Sequence, residues 1–232
     1  MKKIRGWRKI LVVSSLICVF IIGFNLTELH NIFGINRVHT NAKIVSLTYD
    51  DGPDPLYTEP LLNVLDQYNI KATFFQVGKK IKKHPEITRL VLEKGHELAN
   101  HTYSHKDMVF KKYDFLQKEI KSTDELLKTA GVTEPINFRP PWGRRFLVLI
   151  SMIYQQHKKI IIWDINSQDY VKGISGETIA NKVIKNIRPG AIILMHDSGG
   201  NRDQTIKATE IIINKLTHQG YQFKTVADLL KS

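Results

Sequence analysis

The segment KIVSLTYDDGPD, residues 43–54, decides how the rest of the chain is read. Its first half is rich in β-branched and apolar residues, as in a strand buried on both faces, and two carboxylates, Asp50 and Asp51, follow directly before Gly52 and Pro53. In isolation the DDGP step is equally an ordinary tight turn, since Asp, Gly and Pro are turn residues. An acidic pair at the end of a buried strand has a second use: one carboxylate can ligate a cation while its neighbour takes a proton from water.

Downstream of this segment, short β-rich runs alternate with stretches of helical period. ATFFQV (72–77), HELAN (96–100), KKIIIWD (158–164) and AIILMHD (191–197) read as strands. Residues 58–68, 85–93, 176–186 and 203–218 read as helices, and YQFKTVADLL (221–230) closes the chain. The alternation predicts an α/β fold with a parallel sheet and helices outside, and the number of units favours a barrel over an open sheet. In such barrels the chemistry sits where the loops after the strands converge. The polar clusters fall there: HTYSH (101–105) after HELAN, FRPPWG (138–143) after INF, NSQDY (166–170) after IIIWD, and HDSGG after AIILM.

Upstream, Lys2, Lys3, Arg5, Arg8 and Lys9 precede an apolar run, Ile10 to Phe24, that carries no charge. This is a targeting signal. Bulky residues follow the run, which favours a signal anchor over residues 10–29 with a basic cytoplasmic end at 1–9, although cleavage after Ala42 would give a secreted form. Residues 30–42 read as a linker and 43–232 as the main folded domain, outside a single-pass cell-membrane anchor. The only cysteine, Cys18, lies in the apolar run, so no disulfide framework is available. The formal charge is +12, and the exported part stays basic without its N-terminal cations. Export turns that charge toward an anionic envelope polymer and away from nucleic acid. No protein partner is implied.

His101 and His105 stand four apart and, with a carboxylate from elsewhere, would make a two-histidine, one-carboxylate cation site with open positions. The pair alone is as often a solvated surface feature. The glycines after His196 lack a lysine at phosphate-loop spacing, so a phosphate cradle is discounted.

Taken in order, TYDDGPD, HTYSH, FRPPWG, NSQDY and ILMHDSGG resemble the five motifs of the NodB-homology polysaccharide deacetylases, also called carbohydrate esterase family four, and the resemblance runs from Lys43 to Ser232. It implies a distorted (β/α) barrel, preceded here by one N-terminal hydrophobic helix. It implies hydrolysis of N-acetyl groups on a glycan; the basic charge and expected tether outside the membrane make peptidoglycan N-acetylglucosamine the first choice. N-acetylmuramic acid, chitin oligomers and poly-N-acetylglucosamine exopolysaccharide remain open. By the resemblance Asp50 is the general base, and Asp51, His101 and His105 hold a divalent metal, zinc by default with cobalt, nickel or iron fitting the same ligands. Arg139 would orient the base, His196 would be the general acid, and Asp169 would pair with it. Trp142, Tyr170, Leu194 and Pro140 would bind substrate, the Trp142 amide steadying the oxyanion. Three positions depart from the family pattern. Asn166 stands where many members carry an acid, with Asp164 a partial substitute; Tyr170 replaces the more usual Trp; and Trp142 takes a position more often held by Tyr. Two other classes compete. An iron oxygenase would leave Asp50, Arg139 and His196 without roles, and a catalytically inactive wall-binding module would show decay such as that at Asn166.

Overall fold

A computed structural model of the chain describes residues 33–133 and 135–232. Strand β1 (Ile44–Asp50) is buried along its whole length and lies at the centre of the sheet. It pairs in parallel with β2 (Thr73–Gln76) on one side and β5 (Ile192–His196) on the other, with Asp50 in register with Phe75 and His196. Beyond these lie β3 (Glu97–Asn100) next to β2 and β4 (Ile165–Asn166) next to β5, while β6 (Gln222–Phe223) pairs with the start of β1. Single bridges from Asn100 to Phe138 and from Phe138 to Ile160 link the β3 edge to the segment that enters β4. The pairing therefore runs as an incomplete ring, and every main strand is parallel to its neighbours.

The period-two alternation of a strand sorts the side chains. Val45, Leu47, Tyr49, Phe74, Leu98, Ile193 and Met195 join the large outer core beneath the helices. Ile44, Phe75, Ala99, Ile161 and Ile192 form a separate inner cluster. Ser46, Thr48 and Asp50, of the same parity as Ile44, are buried on that inner side too.

Helices α1 (Thr58–Gln67), α2 (Gly78–Lys83), α3 (Pro85–Glu93), α4 (Tyr113–Thr129), α5 (Leu147–Gln155), α6 (Gly176–Asn186), α7 (Asp203–His218) and α8 (Val226–Leu229) surround the sheet. Local sequence explains their starts. Pro85 sits in the first turn of α3, and the Ser175 hydroxyl accepts the Thr178 amide at the head of α6. On α7, Ala208, Ile212, Ile213 and Leu216 recur on one buried face and pack toward α6 and α1.

The helices expected at 58–68, 85–93, 176–186 and 203–218 are present, whereas α2, α4 and α5 were not anticipated. The KKIIIWD run makes only isolated bridges at Ile160 and Ile161, and its strand is displaced to Ile165–Asn166. The reason is physical: the buried Arg139 guanidinium takes the carbonyl oxygens of Ile161 and Ile162, acceptors that a regular ladder would use. The expected linker is part of the packed domain from Phe33 onward. Ile35 is buried and bridges to Ile161, and the Val38 amide donates to the Gly190 oxygen. The segment expected to form the hydrophobic anchor, 10–29, lies outside the described residues. Among the described residues no helix is long and apolar enough to cross a membrane.

Candidate active site

Strands β1, β2, β3, β4 and β5 end on the same side of the sheet, so Asp50, Gln76, Asn100, Asn166 and His196 mark one rim. A cleft of about 540 Å³ opens there.

On its floor Asp51 takes a left-handed conformation, φ 76°, which turns its carboxylate away from the strand. Asp51 Oδ1 faces His101 Nε2 at 3.5 Å and His105 Nε2 at 3.1 Å, and it is buried without a formed hydrogen bond. A ligand atom from each of the three residues lies within 4.8 Å of the others. Burial alone would raise the Asp51 carboxyl. Its contact with His101, then the fields of His101, His105 and His196, outweigh burial and hold it well below the usual carboxylate range. Burial, followed by the neighbouring His101, lowers the pKa of His105, the direction that favours the neutral ring. An orphaned buried carboxylate oxygen converging with two imidazoles is a donor set that fits a divalent cation.

The histidines lie on a loop, not a helix. His101 Nδ1 donates to the Arg139 carbonyl oxygen at 2.8 Å, which directs Nε2 at Asp51. Behind it, the Asn100 amide donates to the Ile120 carbonyl and the Asp124 carboxylate while accepting the Thr102 amide. Glu119 accepts both the amide and the hydroxyl of Ser104, fixing the turn into His105.

Asp50 lies beside this cluster, 3% exposed, with Oδ2 3.6 Å from His101 Nε2. Its Oδ1 accepts Arg139 Nη1 at 2.5 Å. Arg139 is fully buried and spends its other donors on Thr48 Oγ1 (2.9 Å), Ile161 O (3.2 Å) and Ile162 O (3.0 Å), with the Phe75 ring 3.9 Å away. A planar guanidinium fits such a fixed set of acceptors.

Across the cleft, His196 Nδ1 donates to Asp169 Oδ1 at 2.8 Å. Asp169 Oδ2 accepts the His196 amide (2.8 Å) and the Thr205 hydroxyl (2.9 Å). Burial would lower the His196 pKa, and the Asp169 bond and charge, with Asp50 and Asp51 behind, raise it instead. Burial likewise opposes ionisation of Asp169, and its bond to His196 wins and lowers its pKa.

Of the four residues expected in the pocket, Trp142, Tyr170 and Leu194 line the cleft and Pro140 does not. Trp142 is exposed and meets His105 edge-on at 4.8 Å, Tyr170 stands perpendicular to His196 at 5.7 Å, and Leu194 lines the cleft while otherwise buried. Pro140 is buried, and Trp163 and Arg202, which sequence reading did not assign, stand in the wall. Asn166 accepts the Gln168 amide and donates to the Tyr170 hydroxyl at 3.3 Å. Asp164 does not replace the missing acid, because Arg188 engages both of its oxygens away from the cleft.

A further layer was also missed. The buried Asp197 carboxylate accepts the Thr58 hydroxyl at 2.6 Å, and burial pushes its pKa up to about 7. Next to it, Ser198 donates to Asp54 and accepts from Lys80. These partners are separated by more than a hundred residues, and the only local signal was the polarity of HDSGG.

Fold and cluster together define a parallel α/β protein with a candidate metal centre at the carboxyl ends of its strands. The chain belongs to the polysaccharide deacetylase family, whose pattern it matches over residues 37–156, and by enzyme class it is a polysaccharide N-deacetylase. It is 36% identical over 196 residues to the peptidoglycan-N-acetylglucosamine deacetylase of Bacillus cereus, covering 84% of this chain and 92% of the relative. It is 31% identical over 203 residues to the peptidoglycan-N-acetylmuramic acid deacetylase PdaC of Bacillus subtilis, covering 86% of this chain and 42% of that protein. A crystal structure of a peptidoglycan N-acetylglucosamine deacetylase bound to 4-naphthalen-1-yl-N-oxidanyl-benzamide superposes with a TM-score of 0.81 at 34% identity, covering 84% of this chain and 91% of that one.

Proposed function

We propose that the chain hydrolyses the N-acetyl group of N-acetylglucosamine residues in peptidoglycan, giving acetate and a free amino sugar, with Asp51, His101 and His105 holding zinc. The observation that carries this reading is the placement of two separately oriented groups around one cation site: Asp50 held by Arg139, and His196 held by Asp169. When bound, the cation would supply Lewis-acid polarisation of the acetyl carbonyl and a lowered pKa for water.

The chain's own residues do the rest. Asp50, turned by Arg139 so that Oδ2 faces the cluster, takes a proton from the attacking water as its oxygen bonds to the acetyl carbon. His196, whose Nδ1 is committed to Asp169, presents Nε2 to the cleft and gives a proton to the sugar nitrogen as the carbon–nitrogen bond breaks. Trp142 and Tyr170 form opposing walls against a sugar ring, Leu194 meets the acetyl methyl, and the Trp142 amide steadies the oxygen that gains charge.

Peptidoglycan is favoured by the names of the relatives and by the basic charge of the domain. The same reading tethers the domain outside the cell membrane through residues 10–29, on the strength of five cations ahead of an uncharged apolar run.

The test is acetate release from purified peptidoglycan, chitin oligomers and poly-N-acetylglucosamine, with and without a chelator and with zinc restored. Full activity after Asp51→Ala or after exhaustive metal removal would overturn the reading. Glycan binding without acetate release by the zinc-loaded protein would establish an inactive binding module instead.

A further inference from the structure

Helix α5 buries Leu149, Ile150, Met152 and Ile153, yet it leaves Leu147 72% and Val148 45% exposed. Phe110 stands nearby, 92% exposed, with its ring 6.1 Å from that of Phe146. It has φ 57°, a conformation that bulky residues rarely adopt, so the backbone accepts strain where it presents an aromatic ring to solvent. Phe33, also exposed, joins Val109, Phe146 and Leu147 around a shallow hollow of about 580 Å³. Arg144 and Arg145 line it, and Lys106, Lys111 and Lys112 are exposed cations within four residues of Phe110 in the chain. Asp107, paired with Arg144, and the exposed Asp114 are the nearby acids in sequence.

Position in the chain adds an independent constraint. Phe33 is the first described residue, and Arg145 Nε donates to its carbonyl oxygen at 2.5 Å, tying it to the patch. The uncharged apolar run ends at Phe24, and nine residues of extended chain reach at most about 32 Å. If that run is anchored, the apolar patch cannot lie far from the bilayer surface.

We propose that this face docks on an anionic lipid surface. Phe110, Leu147 and Val148 enter the headgroup layer, and the surrounding lysines and arginines meet lipid phosphates, the arrangement of an interfacial apolar and basic site. Gly143 lines the hollow and the adjacent Trp142 lines the cleft, so docking sets the mouth of the active site beside the lipid plane and directs it to glycan next to the membrane. The inference rests on the reading of residues 10–29 as an anchor, and its test separates the two.

The full chain is reconstituted in phosphatidylglycerol-containing vesicles whose acyl chains carry nitroxide quenchers. One sample carries a fluorophore on the native Cys18, inside the apolar run. A second carries it at position 113 in a Cys18→Ser, Tyr113→Cys chain, where the native tyrosine is exposed three residues from Phe110. A third carries it at position 210 of α7 in a Cys18→Ser, Glu210→Cys chain. Quenching at 18 and 113 but not at 210 is expected. Phe110→Ser with Leu147→Ser should reduce quenching at 113 several-fold and leave that at 18 unchanged, and replacing phosphatidylglycerol by phosphatidylcholine should weaken it as well. Quenching at 18 with position 113 no more quenched than 210 overturns the docking face and keeps the anchor. Absence of quenching at both 18 and 113 overturns the anchor and the docking face together. Shielding of 113 in detergent accompanied by dimerisation would assign the patch to a second copy of the chain, which also overturns the proposal.

Discussion

Replacing Arg139 with methionine isolates what the buried guanidinium does. Arg139 is wholly buried, Asp50 is 3% exposed, and the bond between them is 2.5 Å, so the variant leaves a carboxylate in the interior with its counter-charge removed. Breaking a buried pair from one side costs about 3–5 kcal/mol. Ile161 O and Ile162 O also lose their guanidinium donors, whereas Thr48 Oγ1 keeps its own bond to the Ile193 carbonyl at 2.7 Å. A loss of about 4 kcal/mol, the middle of that range, is therefore expected, and in a domain of this size it lowers the melting temperature by about 8–16 °C. The assay is guanidinium unfolding of chelated protein, so that a bound cation does not add its own stabilisation. Asp50→Asn removes the stranded charge, and the double variant should recover more than about 1 kcal/mol relative to the sum of the single changes. Arg139→Lys keeps a charge without the fork and should fall between the parent and Arg139→Met in stability. A loss below about 1 kcal/mol for Arg139→Met, or additivity with Asp50→Asn, would refute the account of Arg139 as the buried partner of the base.

The His196–Asp169 pair fixes the sign of a pH effect. Burial acts to lower the His196 pKa, yet its bond to Asp169 holds it above the ordinary imidazole value, so the protonated donor is present at low pH and lost as pH rises through the raised value. Asp169→Asn should move the alkaline limb of kcat/KM to lower pH, and an unmoved limb would remove His196 as the donor. The stability that protonated His196 contributes follows the same course, full below the unfolded imidazole pKa of about 6.5, falling as pH rises toward the raised folded value and absent above it. For the metal site, His105→Ala should abolish the zinc-induced thermal shift, which for the parent at a hundredfold excess over Kd corresponds to about 2.7 kcal/mol, while leaving the chelated protein's melting temperature within a few degrees. Equal zinc shifts in parent and variant would exclude His105 as a ligand. At Gly52, an added methyl would collide with the Asp197 carboxylate. Gly52→Ala should cost about 1–3 kcal/mol of stability and weaken zinc binding through the neighbouring Asp51, as read by denaturation and calorimetry; a neutral outcome would show that the Asp197 carboxylate moves aside freely.

Which elements were legible in the sequence follows from how their inner faces are used. Helix α7 was readable because Ala208, Ile212, Ile213 and Leu216 form a stripe at helical spacing. Helix α4 has such a stripe as well, Leu116, Ile120 and Leu127, but Glu119, Thr123 and Asp124 are buried on the same side. Those acids hold Ser104, Asn100 and Lys158, so the helix gives up a clean apolar period in order to brace the histidine loop. Helix α5 fails for the opposite reason: it is apolar nearly all round, which hides the period. At the site, Asp51, His101 and His105 were legible because each belongs to a compact local cluster. Thr58, Asp54 and Lys80 were not, since their partners Asp197 and Ser198 lie far along the chain and only folding brings them together.

The asparagine at 166 shows how position along a strand limits substitution. Asp164 is two residues nearer the start of the strand, roughly 6–7 Å from the rim where the loops converge. There it meets Arg188, just before β5, and that pairing engages both of its oxygens. Asp169 does not need its help. One of its oxygens is taken by His196 Nδ1, and the other by the His196 amide and the Thr205 hydroxyl, so the orientation of His196 is complete without a carboxylate at 166. What Asn166 changes is the wall. Its amide turns to the Tyr170 hydroxyl, pairing two residues that both depart from the family pattern, and any effect on turnover is therefore expected in how the sugar is held before it appears in the proton given to the leaving nitrogen.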